Sequence, residues 1–130
     1  MTTPETAQKT VLVADDDPNI VISLEFLLKR EGYTVTVARD GEAGLAAIRD
    51  QHPALVVLDV MMPKLDGFAV LQAVRADPQL AATRILMLSA KGREAEQHKG
   101  LELGADAYMT KPFSTHELIA KVRELLTPAA

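Results

Sequence analysis

Short apolar runs alternate with helix-like segments along this whole chain, and that alternation is what most constrains its fold. Strands are predicted at residues 10–14, 33–38, 55–58, 84–88 and 105–109. Helices are predicted at residues 17–31, 40–50, 66–76, 93–103 and 114–126, of which 93–103 has the thinnest apolar stripe. Strand–helix–strand crossovers are right-handed and cover both faces of a sheet. Five strands alternating with five helices therefore predict an α/β fold with a doubly wound parallel sheet.

Size and composition favour one soluble domain. The chain has 130 residues, 48% of them apolar, which is enough for one core. We expect a flexible segment at 1–9, a folded domain at 10–127 and a tail at 128–130. The sequence has no cysteine and no apolar run near the roughly 20 residues of a membrane span, so we predict a cytoplasmic protein with no membrane partner. Its formal net charge of −4, with acids and bases mixed, argues against direct nucleic-acid binding.

Polar side chains stand at the C-terminal ends of the apolar runs. Asp15 and Asp16 follow the first predicted strand, and Asp59 follows the third. Ser89 follows the fourth strand, and Lys111 comes shortly after the fifth. If the strands are parallel, these groups gather at one sheet edge, which is where open α/β sheets bind ligands. Sequence order alone leaves the order of the strands in the sheet open.

The segments that carry these residues resemble a known family. They are VLVADDDP at 11–18, VLDVMMP at 57–63, LDG at 65–67, LSA at 88–90 and GADAYMTKPF at 104–113. In order and spacing they resemble the receiver domain of bacterial two-component response regulators, in its single-domain, chemotaxis-regulator-like form, over about residues 10–127. The resemblance implies a flavodoxin-like strand order, 2-1-3-4-5, which makes strands 1 and 3 neighbours.

The resemblance implies a phosphoacceptor and a metal site. Asp59 would accept a phosphoryl group from the phosphohistidine of a sensor histidine kinase or phosphotransfer protein. Three carboxylates in one crevice repel each other by about 4 kcal/mol per pair at about 4 Å, so a hard divalent cation, Mg²⁺, is expected as cofactor. By resemblance, Asp16, Asp59 and the backbone carbonyl of Met61 would bind Mg²⁺ directly, and Asp15 would bind it through water.

The remaining motif residues would stabilise the phosphoryl group and pass on its signal. By resemblance, Lys111 would neutralise charge on the phosphoryl oxygens and Ser89 would hydrogen-bond one of them. Tyr108 would then turn inward, and the Lys111–Pro112 bond is a candidate cis peptide. The surface of the last two helices and the fifth strand would change for an unknown downstream protein. Such a chain is a signalling module that catalyses only its own phosphorylation and slow dephosphorylation, and not a turnover enzyme.

Two other functions use a similar fold or similar groups. A haloacid-dehalogenase-type Mg²⁺-dependent phosphatase also has a strand-end Asp nucleophile, but its motif needs Thr or Val after a second Asp, and Asp17 is followed by Pro18 and Asn19. A flavodoxin-like electron carrier needs a phosphate loop after strand 1, where this chain has three aspartates. DNA-binding relatives often carry a second acid after Gly-Ala-Asp; Ala107 at that place disfavours their dimer. Whether the receiver stands alone or belongs to a longer regulator is left open.

Some conspicuous polar residues have simpler structural interpretations. Asp17 directly precedes Pro18, so we predict a helix cap and not a metal ligand. The three histidines are predicted to be surface residues without a catalytic role; they are His52, His98 and His116.

Overall fold

The computed structural model describes residues 9–90 and 94–127. Within them, five parallel strands form one sheet in the order β2-β1-β3-β4-β5. The strands are β1 (Thr10–Ala14), β2 (Thr34–Ala38), β3 (Leu55–Asp59), β4 (Arg84–Ala90) and β5 (Ala107–Lys111). The helices are α1 (Pro18–Arg30), α2 (Gly41–Gln51), α3 (Gly67–Ala76), α4 (Glu94–Glu102) and α5 (Thr115–Leu126). The predicted fold class and strand order are confirmed.

The sheet separates two hydrophobic layers, because side chains alternate between its faces. Val11 and Val13 of β1 point into one layer, which α1 and α5 cover. Leu12 and Ala14 point into the other layer, which α2 and α3 cover. Every residue of the central strand β3 is buried, as its continuous apolar run predicts. This packing fixes the ends of β1 and β3 side by side.

Side-chain caps start the helices that lead away from the sheet edge. The carboxylates of Asp17, Asp40 and Asp66 accept hydrogen bonds from backbone N–H groups in the first turns of α1, α2 and α3. Ser114 and Glu117 form a capping box at the start of α5. The prediction that Asp17 is a cap is confirmed. These three aspartates are therefore engaged by helix ends, which distinguishes them from the acids at the ends of β1 and β3.

Several element boundaries differ from the sequence prediction by one or two residues, and β5 extends to Lys111, which the sequence placed after this strand. The sequence predicts the last strand at 105–109, but β5 begins at Ala107. Asp106, just before it, uses its backbone and its side chain in other hydrogen bonds. Its N–H donates to the Ile85 carbonyl, and its carboxylate accepts from the Ile85 N–H and from Arg75. Strand β4 runs to Ala90, so Ser89 lies inside it. A short 3₁₀ turn at Pro78–Leu80, capped by Asp77, was not predicted.

Some sequence predictions lie outside the described residues. The predicted flexible segment 1–9 does so except for Lys9, as do the tail 128–130 and the first residue of the predicted helix 93–103. Of the rest of that helix, Glu94–Glu102 is observed as α4. Across residues 9–90 and 94–127, no helix combines the length and the apolar character needed to cross a membrane.

The packing of α1 can be tested with two positions on this helix. Leu24 is fully buried and Ile22 is 65% exposed. We expect Leu24→Ala to lower the free energy of unfolding by about 2–5 kcal/mol, because it leaves a cavity. The control Ile22→Ala should change it by less than about 0.5 kcal/mol. Urea denaturation measures both, and equal losses would contradict the described packing of α1 on the sheet.

Candidate functional site

Three carboxylates converge where β1 and β3 end. Asp15 and Asp16 follow β1, Asp59 ends β3, and these strands pair directly with Ala14 opposite Leu58. One carboxylate oxygen from each of the three aspartates lies within 4.8 Å of the others. Asp15 and Asp59 are 0% and 4% exposed, and Asp16 is exposed. The structure thus brings together the acids that the sequence placed at separate strand ends.

Lys111 supplies a counter-charge from the end of β5. Its Nζ lies 3.0 Å from Oδ2 of Asp15 and 3.2 Å from Oδ1 of Asp59. The Lys111–Pro112 peptide bond that follows is cis, as the resemblance implied. One ammonium group faces three carboxylates, so the ionised crevice keeps an excess of negative charge.

Burial and charge together shift the ionisation of these groups. The pKa of Asp59 is raised from 3.8 to about 6, mainly because burial disfavours the carboxylate and next because the Asp15 charge is close. The Lys111 ammonium acts in the opposite direction without cancelling this rise. For Lys111 itself, burial disfavours the ammonium, but the hydrogen bond with Asp15 and the charge of Asp59 outweigh it and raise the pKa. Lys111 therefore stays charged at neutral pH.

The loop after β3 is held close to this crevice. The N–H of Val60 donates to the Leu88 carbonyl over 3.0 Å, and the N–H of Gly67 donates to the Val60 carbonyl over 2.8 Å. A Cβ at Gly67 would lie 2.3 Å from the carbonyl oxygen of Asp59, so only glycine fits there. Met61 is 62% exposed between buried Val60 and Met62. The residue whose carbonyl is predicted as a ligand thus lies in a loop that is anchored at both of its neighbours.

Ser89 and Tyr108 lie on β4 and β5, the two strands that contact α4. Ser89 is 1% exposed, follows the residue that pairs with Asp59, and its hydroxyl donates to the Ala90 carbonyl over 3.3 Å. Tyr108 of β5 is half-buried, and its ring lies beside Gly100 of α4, where an added Cβ would be 3.4 Å from two ring carbons. Tyr108 therefore contacts α4, and Ser89 lies on β4, the strand that pairs with both β3 and β5.

Sequence reasoning missed the residues between β2 and α2. The Arg39 guanidinium donates to the Asp16 carbonyl over 3.4 Å, and Gly41 packs against the backbone of Leu65. The Asp-Gly pair at 40–41 could have indicated this contact. Glycine is a poor helix former, so a glycine in the first turn of a helix suggests that another segment lies too close for a side chain. The three histidines are exposed, as predicted for surface residues.

The donor set fits a hard divalent cation. The three clustered side chains offer carboxylate oxygens, and two of them are buried with excess negative charge. Such oxygens suit Mg²⁺ or Ca²⁺ better than metals that prefer nitrogen or sulfur ligands. Mg²⁺ typically uses one or two carboxylates and keeps open positions for phosphate oxygens, which matches a cluster in which two carboxylates are buried and one is exposed.

Comparisons with known proteins agree with this geometry. The family model of the response regulator receiver domain matches residues 11–123. The alkaline phosphatase synthesis transcriptional regulatory protein PhoP of Bacillus subtilis is 49% identical over 118 residues, which are 91% of this chain and 48% of that protein. The chain spans about half the length of the curated relatives that it matches.

Solved structures show the same likeness. The receiver domain of the Francisella response regulator 1452 is 37% identical, with a TM-score of 0.83 over 91% of this chain and 96% of that one. The chemotaxis response regulator CheY4 of Vibrio cholerae is 31% identical, with a TM-score of 0.85 over 92% of this chain and 99% of that one.

The electrostatic cost of ionised Asp59 predicts how the free energy of unfolding depends on pH. In metal-free protein near neutral pH, Asp59→Asn should raise the free energy of unfolding by about 1–3 kcal/mol, because the folded pKa exceeds the unfolded one. Because the folded protein holds the Asp59 proton more tightly, the wild type gains stability at pH values below 3.8, the pKa in the unfolded chain. This gain is lost as the pH rises through about 6, the pKa in the folded protein. The difference in free energy of unfolding between Asp59→Asn and the wild type should therefore grow as the pH rises from 3.8 to about 6.

Urea unfolding with chelator present, at a series of pH values across this window, measures the effect. Asp16→Asn is the matched control, since Asp16 is exposed and should give a smaller gain. An advantage of Asp59→Asn that does not change with pH would contradict the assigned electrostatics.

Proposed function

The chain belongs to the response regulator receiver domain family, a class of signalling domains, and on this premise we propose that Asp59 is its phosphoacceptor. The observation that carries the proposal is the buried Asp59 carboxylate, held 3.2 Å from the Lys111 ammonium and beside Asp15 and Asp16. The relatives found lend no support to the haloacid-dehalogenase-type phosphatase. In this proposal the only reactions of the domain are its own phosphorylation and slow dephosphorylation.

The phosphoryl donor would be a phosphohistidine. Membership of this family implies a histidine kinase as partner. Asp59 would attack the phosphorus, a P–O bond would form as the P–N bond breaks, and the released imidazole would take up a proton. With a pKa of about 6, most Asp59 side chains are ionised at neutral pH and able to attack. A phosphotransfer protein offers the same phosphohistidine chemistry.

Mg²⁺ and Lys111 would share the stabilisation of the phosphoryl oxygens. Receiver domains bind Mg²⁺ at the acidic pocket, and in this chain we propose Asp16, Asp59 and the Met61 carbonyl as direct ligands, with Asp15 acting through water. When bound, the ion supplies positive charge to the phosphoryl oxygens. Lys111 supplies the second positive charge, and its 3.0 Å contact with Asp15 keeps the ammonium in the crevice whether or not Asp59 is modified.

An exposed apolar face on α1 suits the docking of the kinase. A donor must bring its phosphorus to bonding distance of Asp59, so it contacts the elements that begin at this sheet edge. Helix α1 begins there, and its residues Ile22 and Phe26, one turn apart, are 65% and 60% exposed. Large apolar side chains exposed together on one helix face are typical of protein interfaces.

The output surface would be α4, β5 and α5. Ser89 would hydrogen-bond the new phosphoryl group, and Tyr108 would couple that movement to α4. A groove of about 500 Å³ lies on this surface. Its lining includes Gln97, Tyr108, Met109, Pro112, His116 and Lys121. We propose that a downstream protein binds there, and that these residues themselves do not contact nucleic acid; PhoP, named as a transcriptional regulator, is about twice as long as this chain.

Chemical phosphorylation tests the acceptor directly. Incubation with acetyl phosphate and Mg²⁺ should add one phosphoryl group to the intact protein, and Asp59→Asn should abolish it. The matched control is Asp17→Asn, which keeps the helix cap because Asn caps as well as Asp, and it should be labelled normally. Mass spectrometry of the intact chain measures labelling. Equal labelling of Asp59→Asn would refute the assignment.

Amide hydrogen exchange tests the output surface. Beryllofluoride with Mg²⁺ mimics the phosphoryl group and should change exchange in α4 and β5 as well as near Asp59. Ser89→Ala should keep the changes near Asp59 and lose most of those in α4, because it lacks the hydroxyl that contacts the mimic. If wild-type changes stay confined to the neighbourhood of Asp59, the proposed route through Ser89 and Tyr108 is wrong.

A further inference from the structure

Residues 39–41, which run from the end of β2 into the first residue of α2, contact both loops that carry the proposed metal ligands. We define them as the bridge segment, residues 15–17 as the acid loop, and residues 60–66 as the acceptor loop. We propose that the bridge segment positions these two loops relative to each other, and that Gly41 is a positioning residue for Mg²⁺ binding. The inference rests on the proposed function, because it concerns the same site.

The contact with the acid loop uses the end of β2. The Arg39 guanidinium donates to the Asp16 backbone carbonyl over 3.4 Å. One residue earlier, the Ala38 carbonyl accepts from the Asp15 N–H over 3.1 Å. The backbone of the acid loop is therefore tied to the residues that lead into the bridge segment.

The contact with the acceptor loop is closer. The Gly41 N–H donates to the Pro63 carbonyl over 3.3 Å, and the Asp40 carboxylate lies 3.7 Å from Nζ of Lys64. A Cβ on Gly41 would lie 1.7 Å from the carbonyl oxygen of Leu65 and 2.5 Å from its carbonyl carbon. These are backbone atoms, so no side-chain rotation relieves the overlap. Any side chain at position 41 therefore has to displace the acceptor loop and the start of α2 relative to each other.

The acceptor loop has a conformation that depends on its surroundings. Lys64 has a φ of 73°, and the Leu65 N–H donates to the Pro63 carbonyl over 2.8 Å across it. A three-residue hydrogen bond across a residue with positive φ is a strained turn, and such turns persist where neighbouring structure holds them. Gly41, at the N-terminus of α2, supplies that support through its hydrogen bond to Pro63. Gly67 holds the other end of the loop through its hydrogen bond to Val60.

Displacement of this loop reaches the metal site. Met61, the proposed carbonyl ligand, is two residues before Pro63, the residue that Gly41 contacts. Mg²⁺ demands near-ideal octahedral geometry, and changes in residues that support metal ligands typically lower metal affinity by about 10–100-fold. A shift of the acceptor loop should therefore lower Mg²⁺ affinity more than it disturbs the fold.

Two glycines of the same helix provide a matched test. Gly41→Ala and Gly44→Ala each add one methyl group to α2, but the Gly44 methyl would meet Ala14 and Ala38 at ordinary distances of 3.5 and 3.8 Å. Gly41→Ala should weaken Mg²⁺ binding about tenfold, measured by calorimetric titration, whereas Gly44→Ala should bind within about twofold of wild type. Labelling by acetyl phosphate should need correspondingly more Mg²⁺ in Gly41→Ala, with its maximal rate less affected. Wild-type Mg²⁺ affinity in folded Gly41→Ala would overturn the proposal.

If Gly41→Ala does not fold, Lys64→Gly decides the question. Glycine takes a φ of 73° without strain and the Lys64 side chain is 60% exposed, so this variant should fold with undiminished stability. Its acceptor loop loses the contact with Asp40 and gains freedom, so Mg²⁺ binding should weaken about threefold. Unchanged affinity would overturn the proposal. Failure of the proposed function is distinguishable, because the wild type would then not be labelled, while the Mg²⁺ titrations still test the role of the bridge segment.

Discussion

Electrostatic repulsion among three carboxylates in one crevice is the constraint on which the rest of this structure depends. At about 4 Å and an effective dielectric constant of about 20, each like-charged pair costs roughly 4 kcal/mol, and one lysine cannot compensate for three acids. The sheet holds them together through contacts that have nothing to do with charge: β3 is buried along its whole length, and β1 lies beside it. Burial, and next the nearby Asp15 charge, raise the pKa of Asp59 to about 6. The same excess charge suits the crevice to a cation and, with that cation, to a phosphoryl group.

The aspartates of this chain fall into two groups, and their sequence neighbours distinguish them. Asp17 precedes Pro18, and Asp40 and Asp66 precede glycines at the start of helices, where a carboxylate is satisfied by backbone N–H groups. Asp15 instead follows an apolar strand and Asp59 ends one. Both are buried, and the Lys111 ammonium contacts both carboxylates, although Asp15 also accepts the Asp17 N–H. Periodicity and caps were thus sufficient to predict five strands, five helices and the acids at one sheet edge. The strand order came from the family resemblance, since alternation alone allows several orders.

The features that sequence reasoning missed depend on contacts between distant segments. The start of β5 is shifted by two residues because the Arg75 guanidinium, 31 positions before Asp106, binds its carboxylate and also the carbonyls of Thr83 and Gly104. The role of Gly41 depends in the same way on the backbone of Leu65 lying against it. Neither contact leaves a periodic pattern, because each joins residues whose proximity is decided by the finished sheet. Local rules predict elements well and their ends poorly for this reason.

The weak helix α4 is consistent with the signalling role of the family. It is largely exposed, and it contains Gly100, which is unfavourable inside a helix by about 1 kcal/mol relative to Ala. A hydrogen bond to a charged group contributes only about 1.5–3 kcal/mol, which shifts a two-state equilibrium by roughly 10- to 150-fold. Such a hydrogen bond can reorganise an element whose alternative packings differ by a similar free energy. It cannot reorganise an element held by fully buried apolar side chains, such as β3. Gly100 also leaves room for the Tyr108 ring, so the residue that weakens α4 is the one that lets it contact the strand carrying the proposed switch.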